Sequence, residues 1–225
     1  MTIFPASSAE YELLERVAAN LARLHERIAS TGRDPQSVRV VAVTKTFSLR
    51  EVRAAYEIGL RDVGENYVDE LCEKRGATPE LDLRWHYLGA LQTNKIPRAV
   101  TCAHILSGVT RTREIDVIAK VSPGHQVDVQ VDFTGEGHRN GAPPDEVPDL
   151  VAHARARELV VRGLMVVAPR GETETREAFL RTRDLADELG LVERSMGMSD
   201  DIETACELGS TEVRVGRALF GARVA

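Results

Sequence analysis

Short apolar segments alternate with amphipathic helical patterns eight times from Arg39 to the C-terminal region, and that alternation predicts an α/β protein built as a (β/α)8 barrel. Two further observations favour closure. No Pro/Gly/Ser-rich linker or break in composition divides the 225 residues, so one domain over 1–225 is expected. An open sheet of eight strands would also leave two edges to protect, and a barrel leaves none. The alternative is a doubly wound sheet with an extra edge strand.

The bulk properties narrow the function classes. Apolar residues at 43% and charged residues at 28% describe an ordinary globular chain with material for one core. A formal net charge of −6 gives no footprint for nucleic acid, although a small anion can still find a local basic pocket. Cys72, Cys102 and Cys206 lack the spacing of a zinc site or a redox dithiol, and are expected to be reduced packing thiols. Because no apolar run is long enough for a bilayer and the start of the chain lacks a signal-peptide pattern, no membrane partner and a cytoplasmic location are expected.

The first element is an extra N-terminal helix over 7–31. Leu14, Val17, Leu21, Leu24 and Ile28 follow at helical spacing until Gly32 and Pro35 stop it. Lying ahead of the first strand, it is expected to plug the bottom of the barrel. Strands are expected at 39–44, 61–64, 84–88, 104–107, 126–133, 159–166, 191–196 and 211–215. The first is followed by Ser48-Leu-Arg-Glu51, which has the form of a capping box and opens a helix ending at Gly59. Helices are expected over 67–75, 93–100, 111–121, 146–157, 174–189 and 200–208, the last with Ser199 as N-cap, Asp200 and Asp201 in its first turn, and Gly209 as its stop.

In a barrel the C-terminal ends of the strands share one mouth, and ligand chemistry gathers there. The first strand, Arg39-Val-Val-Ala-Val-Thr, ends in Lys45, which either serves a ligand or has merely reached solvent. The other ends supply Gly64-Glu-Asn66, His86 with Gly89, Ser107-Gly108, Met165, Gly197-Met198-Ser199 and Gly216-Arg217. The loops after the seventh and eighth strands outline an anion site: Gly197 permits close backbone approach, Ser199 opens a helix, and Gly216-Arg217 begins the last segment. That reading requires the Asp200 and Asp201 side chains to point away from the anion. Arg214 alternates with Val213 and Val215, so spacing alone favours a side chain facing solvent or a carboxylate.

A lysine and a phosphate site across one mouth suggest a Schiff base with a phosphorylated carbonyl compound, either a cofactor or the substrate of an aldolase. Asn66 is a candidate partner for a ring or sugar hydroxyl, and after Gly-Glu equally a turn residue. His86 is more often packed than catalytic in such a setting. Gly135-Glu-Gly-His-Arg-Asn-Gly141 lacks the spacing of a nucleotide fingerprint, and His138 and His153 have no third ligand at metal spacing.

Six segments together resemble one known family, the pyridoxal phosphate homeostasis proteins, also called the YggS or PROSC family. They are Ala42-Val-Thr-Lys45-Thr, Gly64-Glu-Asn-Tyr-Val68, Trp85-His-Tyr-Leu-Gly89 with Leu91-Gln-Thr-Asn-Lys95, Gly163-Leu-Met165, Gly197-Met-Ser-Asp-Asp201, and Val213-Arg-Val-Gly216 through Phe220-Gly-Ala-Arg223. The resemblance implies an alanine-racemase-like barrel (TIM barrel, fold-type III) with pyridoxal 5′-phosphate, PLP, as a Schiff base on Lys45. By the same resemblance, Ser199, Gly216 and their neighbours Met198 and Arg217 hold the phosphate, and Arg214 faces the pyridine nitrogen; Asn66 is expected among the cofactor-binding residues. Arginine keeps its proton, so the ring nitrogen stays unprotonated and carbanion chemistry is disfavoured. One segment departs from the family: members often carry Lys-x-Gly after the fifth strand, where this chain has His138-Arg-Asn-Gly141.

What the resemblance implies is PLP storage, buffering or delivery by a monomer, with PLP, other B6 vitamers and apo PLP-dependent enzymes as partners and no robust turnover. The alternatives are an amino-acid racemase and a Schiff-base aldolase. Racemases on this barrel add a C-terminal β-domain and a second acid/base tyrosine, and this chain stops within about ten residues of its eighth strand.

Overall fold

In the computed structural model, which describes residues 8–136 and 139–221, the strand β1 (Arg39–Val43) hydrogen-bonds on one side to β2 (Asp62–Glu65) and on the other to β8 (Glu212–Val215). Between them β3 (Arg84–Tyr87), β4 (Ile105–Val109), β5 (Gln126–Val131), β6 (Val160–Val166) and β7 (Glu193–Ser195) pair in sequence order, every neighbour parallel, and close the barrel. Closure removes the edges that made an open sheet unattractive. The expected strands are all present, with the seventh shorter than its apolar pattern suggests.

Helices follow each strand: α2 (Leu49–Glu57), α3 (Val68–Gly76), α4 (Ile96–Cys102), α5 (Thr112–Val121), α6 (Val147–Ala156), α7 (Glu172–Glu188), α8 (Ile202–Glu207) and α9 (Arg217–Phe220). Outward-facing strand residues such as Val40, Ala42, Val63, Trp85, Leu106, Val127, Val129 and Val213 meet helix residues such as Val52, Leu71, Ile96, Ile115, Ile118 and Leu150 in one apolar layer. That layer between sheet and helices is the main hydrophobic core. Ser48 and Glu51 form the expected capping box, with the Ser48 backbone amide donating to Glu51 Oε2 at 2.8 Å.

The N-terminal helix α1 (Ser8–Ser30) does not plug the barrel. It lies on the flank against α2, α8 and α9, where Leu13, Val17, Leu21, Leu24 and Ile28 are buried and Leu14 is only partly so. Polar contacts fix it there. Arg27 forks onto Glu203 of α8 at 2.5 and 2.6 Å, and Asn20 Nδ2 donates to the Leu219 carbonyl of α9 at 2.8 Å. The short helices α8 and α9 leave apolar surface on that side, and one long helix covers it.

The cysteines also depart from expectation. Cys72 of α3 and Cys102 of α4 form a disulfide, and Cys206 alone is free and buried. The pairing was hidden in the sequence because it depends on two neighbouring helices packing side by side, 30 residues apart along the chain. Among the described residues no helix is long and apolar enough to cross a membrane. Burial pushes the Cys206 thiol up to about 11. Thiol titration without reductant should therefore find no fast-reacting cysteine in the native protein and one per chain after unfolding; three after unfolding would refute the pairing. Replacing Cys72 by serine should lower unfolding free energy by about 2–4 kcal/mol in denaturant titrations.

Candidate functional site

Inside the barrel charged side chains meet among apolar ones such as Val41 and Ile105. Arg162 of β6 reaches Glu212 of β8 at 3.3 Å and Asp128 of β5 at 3.7 Å, and Arg39 of β1 reaches Glu212 at 3.1 Å and Glu193 of β7 at 2.9 Å. Strands β6 and β8 are not neighbours, so these groups meet across the lumen. His86 Nε2 shares a 2.7 Å hydrogen bond with Asp62 Oδ1, and Arg84 forks onto the same carboxylate at 2.6 and 2.9 Å. Burial alone would raise the Asp62 carboxyl, but hydrogen bonds from His86 and Arg84 outweigh it and hold the group well below the usual carboxylate range. Glu212 is likewise lowered, burial being outweighed by His86, Arg162, Ser195 and Arg39. For Asp128 burial wins, and its carboxyl is raised despite Arg162.

Arg214 continues this network towards the mouth. Its Nη1 donates to the Ser195 carbonyl at 2.6 Å and to Ser195 Oγ at 2.8 Å, and its Nη2 donates to the Val166 carbonyl at 2.6 Å. Ser195 Oγ in turn donates to Glu212 at 2.7 Å. The residue is 5% exposed, so of the two expectations from alternation, solvent or a carboxylate, the first is overturned: the face opposite Val213 and Val215 is the barrel interior, where Glu212 and Asp128 also lie. Burial lowers the guanidinium from its usual range, with Glu212, Asp201 and Asp128 opposing.

Above Arg214 the mouth holds a cavity of about 340 Å³. Lys45, Asn66, Met198, Ser199, Arg214, Gly216 and Arg217 all line it, and so does Asp200, which the anion reading required to point away; Asp201 does not. The structure thus brings these seven residues named from the sequence into one cavity, whereas Gly64, His86, Gly89, Ser107, Gly108 and Gly197 do not line it. Asn66 is held from behind by Gly89, where a Cβ would come within 2.2 Å of the Asn66 carbonyl. Gly197 has φ +102°, and its Cβ would meet that of Ala205 at 2.7 Å, so this approach of the loop to α8 is open to glycine alone.

The loop after β7 differs from its expected form. Ser199 does not cap α8; Asp201 occupies that position, and Ser199 Oγ instead accepts the Ala218 amide at 3.2 Å, tying the β7 loop to α9. The two acidic residues are engaged. Asp201 Oδ1 accepts the Met198 amide at 2.5 Å, and Asp200 pairs with Arg217 at 3.0 Å. Phe47, two residues past Lys45, packs on Phe220 of α9 with ring centroids 5.1 Å apart, joining the amine side of the cavity to the loop side.

Comparison with known proteins fits this geometry. The family described as alanine racemase, N-terminal domain, matches residues 13–224. A pyridoxal phosphate homeostasis protein of Pseudomonas aeruginosa is 38% identical over 94% of this chain and 96% of its own, and one of Deinococcus radiodurans is 41% identical over 91% and 99%. PipY of Synechococcus elongatus, solved with PLP bound, superposes with a TM-score of 0.79 at 33% identity over 91% of this chain and 100% of its own. The chain belongs to the pyridoxal phosphate homeostasis protein family.

Within the chain His86 is a packed residue: it is fully buried beside Asp62 and does not line the cavity. Among the described residues no group of three or more His, Cys, Asp or Glu side chains is placed to hold a metal. His138 lies outside the described residues; of its loop, Arg139 donates to the Ala168 carbonyl at 3.1 Å and Asn140 exchanges hydrogen bonds with Gln130. The sequence reading missed the supporting charges. Arg39, Asp62, Asp128, Arg162, Glu193 and Glu212 fall one to a strand, and the available signal was their alternation with apolar residues, as in Val127-Asp128-Val129 and Glu212-Val213.

A folded-state carboxyl below its ordinary value contributes stability above about pH 4, and that contribution is lost as pH falls through the folded value. Asp62, Glu193 and Glu212 are all lowered. Urea midpoints should therefore begin to drop as pH falls below about 5 and go on dropping below about pH 3, and Asp62→Asn should flatten that acid limb. An unchanged limb in the variant would show that Asp62 carries no such linkage.

Proposed function

We propose that this chain binds PLP in the cavity at the barrel mouth as a Schiff base on Lys45, and stores, buffers or hands over the cofactor without robust turnover. The observation that carries the reading is the joining, in one cavity of about 340 Å³, of Lys45 with Ser199, Gly216, Arg217 and the buried Arg214. A cavity of that size lies within the range that takes small ligands. Its donor set fits the group: an amine on the β1 side, backbone and hydroxyl donors in the loops after β7 and β8, and a guanidinium between. PipY, a relative of the same fold that was solved with PLP bound, supports the same reading.

PLP supplies an aldehyde that condenses with an amine, releasing water. Each of this chain's residues then has a defined task. Lys45 presents the amine at the end of β1. Ser199 and the backbone around Gly216 hold the phosphate end, and Arg217, drawn to Asp200 in the structure, lends positive charge there. Asn66 orients the ring side. Arg214, bonded on three sides to Ser195 and Val166, holds a fixed positive charge in the cavity wall and disfavours a proton on a ring nitrogen facing it. A site that keeps that nitrogen neutral withdraws electrons weakly, which favours holding the cofactor over racemisation.

The chain is placed in the cytoplasm, with apo PLP-dependent enzymes as recipients and other B6 vitamers as competing ligands. In that reducing compartment the Cys72–Cys102 pair would be exposed to thiol reductants.

Adding PLP to the purified protein should give a yellow complex whose colour borohydride fixes to the chain, with the label on the Lys45 peptide. Lys45→Ala should abolish the fixed label and weaken binding at least tenfold, about 1.4 kcal/mol or more. Holo-protein mixed with an apo PLP enzyme should activate it faster than release into buffer predicts. A Lys45→Ala protein that is labelled as the parent is would sink the covalent assignment. Amino-acid racemisation that disappears in the same variant would move the reading to an enzyme.

A further inference from the structure

A second lysine, Lys74 of α3, lies almost wholly buried beneath the turn that carries Lys45. Its side chain is 7% exposed, and its Nζ donates to the Thr44 carbonyl at 2.7 Å, Glu65 Oε1 at 2.7 Å and Glu70 Oε1 at 2.6 Å. The two carboxylates extend the grip. Thr44 Oγ1 donates to the same Glu65 oxygen at 2.6 Å, and the Thr46 amide donates to the same Glu70 oxygen at 2.7 Å. One ammonium and two carboxylates therefore hold the residue on each side of Lys45. None of these three charged groups lines the cavity.

The turn has reason to need holding. Thr46 has φ +64°, a left-handed conformation that costs a β-branched residue of order 1–3 kcal/mol and persists only where its surroundings impose it. The Phe47 amide closes the turn on the Thr44 carbonyl at 2.9 Å, so that oxygen accepts both the turn's hydrogen bond and the Lys74 ammonium. Glu65 is fully buried, with Oε2 lacking a hydrogen-bond partner, and burial raises its carboxyl despite Lys74 and Thr44. Without Lys74, two carboxylates would face each other beneath a strained turn with no cation between them.

We infer that Lys74, with Glu65 and Glu70, is a positioning group for Lys45: it fixes the Thr44–Thr46 backbone from outside the barrel wall and so aims the reactive amine into the cavity. The inference rests on the Schiff-base reading above and adds a requirement to it. Condensation of the Lys45 amine with an aldehyde forms one C=N bond and releases one water, and it tolerates little misplacement of the nitrogen. Phosphate binding in the loops after β7 and β8 makes no such demand on β1.

Two ligands separate these contributions: PLP, and pyridoxine 5′-phosphate, which carries an alcohol in place of the aldehyde and cannot condense. The ratio of their affinities in the wild-type protein measures the Schiff base. Lys74→Met should reduce that ratio roughly tenfold, with slower growth of the imine absorption band, while pyridoxine 5′-phosphate affinity stays within about twofold. Lys74→Arg, which keeps the charge, should recover part of the loss. An unchanged ratio, or equal weakening of both ligands, overturns the inference. Should Lys74→Met fail to fold, Glu70→Gln, at the more exposed end of the cluster, removes the charge shared by the Thr46 amide and the Lys74 ammonium while leaving Glu65 in place, and should lower the ratio about threefold; a ratio equal to wild type overturns the inference there as well. A wild-type protein with no preference for the aldehyde brings down the Schiff-base reading itself and this inference with it, so the two failures are read from different samples.

Discussion

Arg214 can face a ligand cavity from the floor of a barrel because the charges beneath it are balanced. Guanidiniums of Arg39, Arg162 and Arg214 share the lumen with carboxylates of Asp62, Asp128, Glu193 and Glu212, and each is bonded to or held near an opposite charge. Isolated charges in such a place would cost several kcal/mol apiece, whereas paired and hydrogen-bonded ones are tolerated. What the lumen gains is rigidity at the top of the stack. Arg214 is tied through Ser195 to Glu212, and Glu212 to Arg39 and Arg162, so the cavity wall is braced down to the first strand.

This arrangement divides the molecule into two kinds of packing. Between sheet and helices the contacts are apolar, and they supply most of the drive to fold. Inside the sheet they are ionic and directional, and they decide where side chains at the mouth point. Around the mouth a third set of contacts links the two sides of the cavity: Phe47 on Phe220, Ser199 on the Ala218 amide, and the Lys74 cluster beneath the Lys45 turn. The positions of amine and loops thus depend on groups that never touch the cavity contents.

Membership of a family whose barrel is also that of alanine racemase does not by itself decide between holding a cofactor and using it. At the site itself, the Arg214 guanidinium is fixed in the cavity wall by the Ser195 and Val166 carbonyls and Ser195 Oγ, so its charge cannot swing away from what the cavity holds.

The order of strands and helices, the capping box at Ser48, and the clustering of Lys45, Asn66, Ser199 and Gly216 at one mouth were all legible in the linear chain. They follow from local periodicity and from the rule that parallel strands end on a common side, which needs no knowledge of distant contacts. The tertiary structure alone decided the rest. Whether α1 plugs or flanks the barrel depends on which side the short helices α8 and α9 leave uncovered, and whether Cys72 meets Cys102 depends on the packing of α3 beside α4. Alternation told that Arg214 opposes Val213 and Val215 but not which face was inside, because a strand buried on both sides has no solvent side to betray its orientation. Charges at alternate positions look solvated in a sequence; closure of the sheet around them makes them a core.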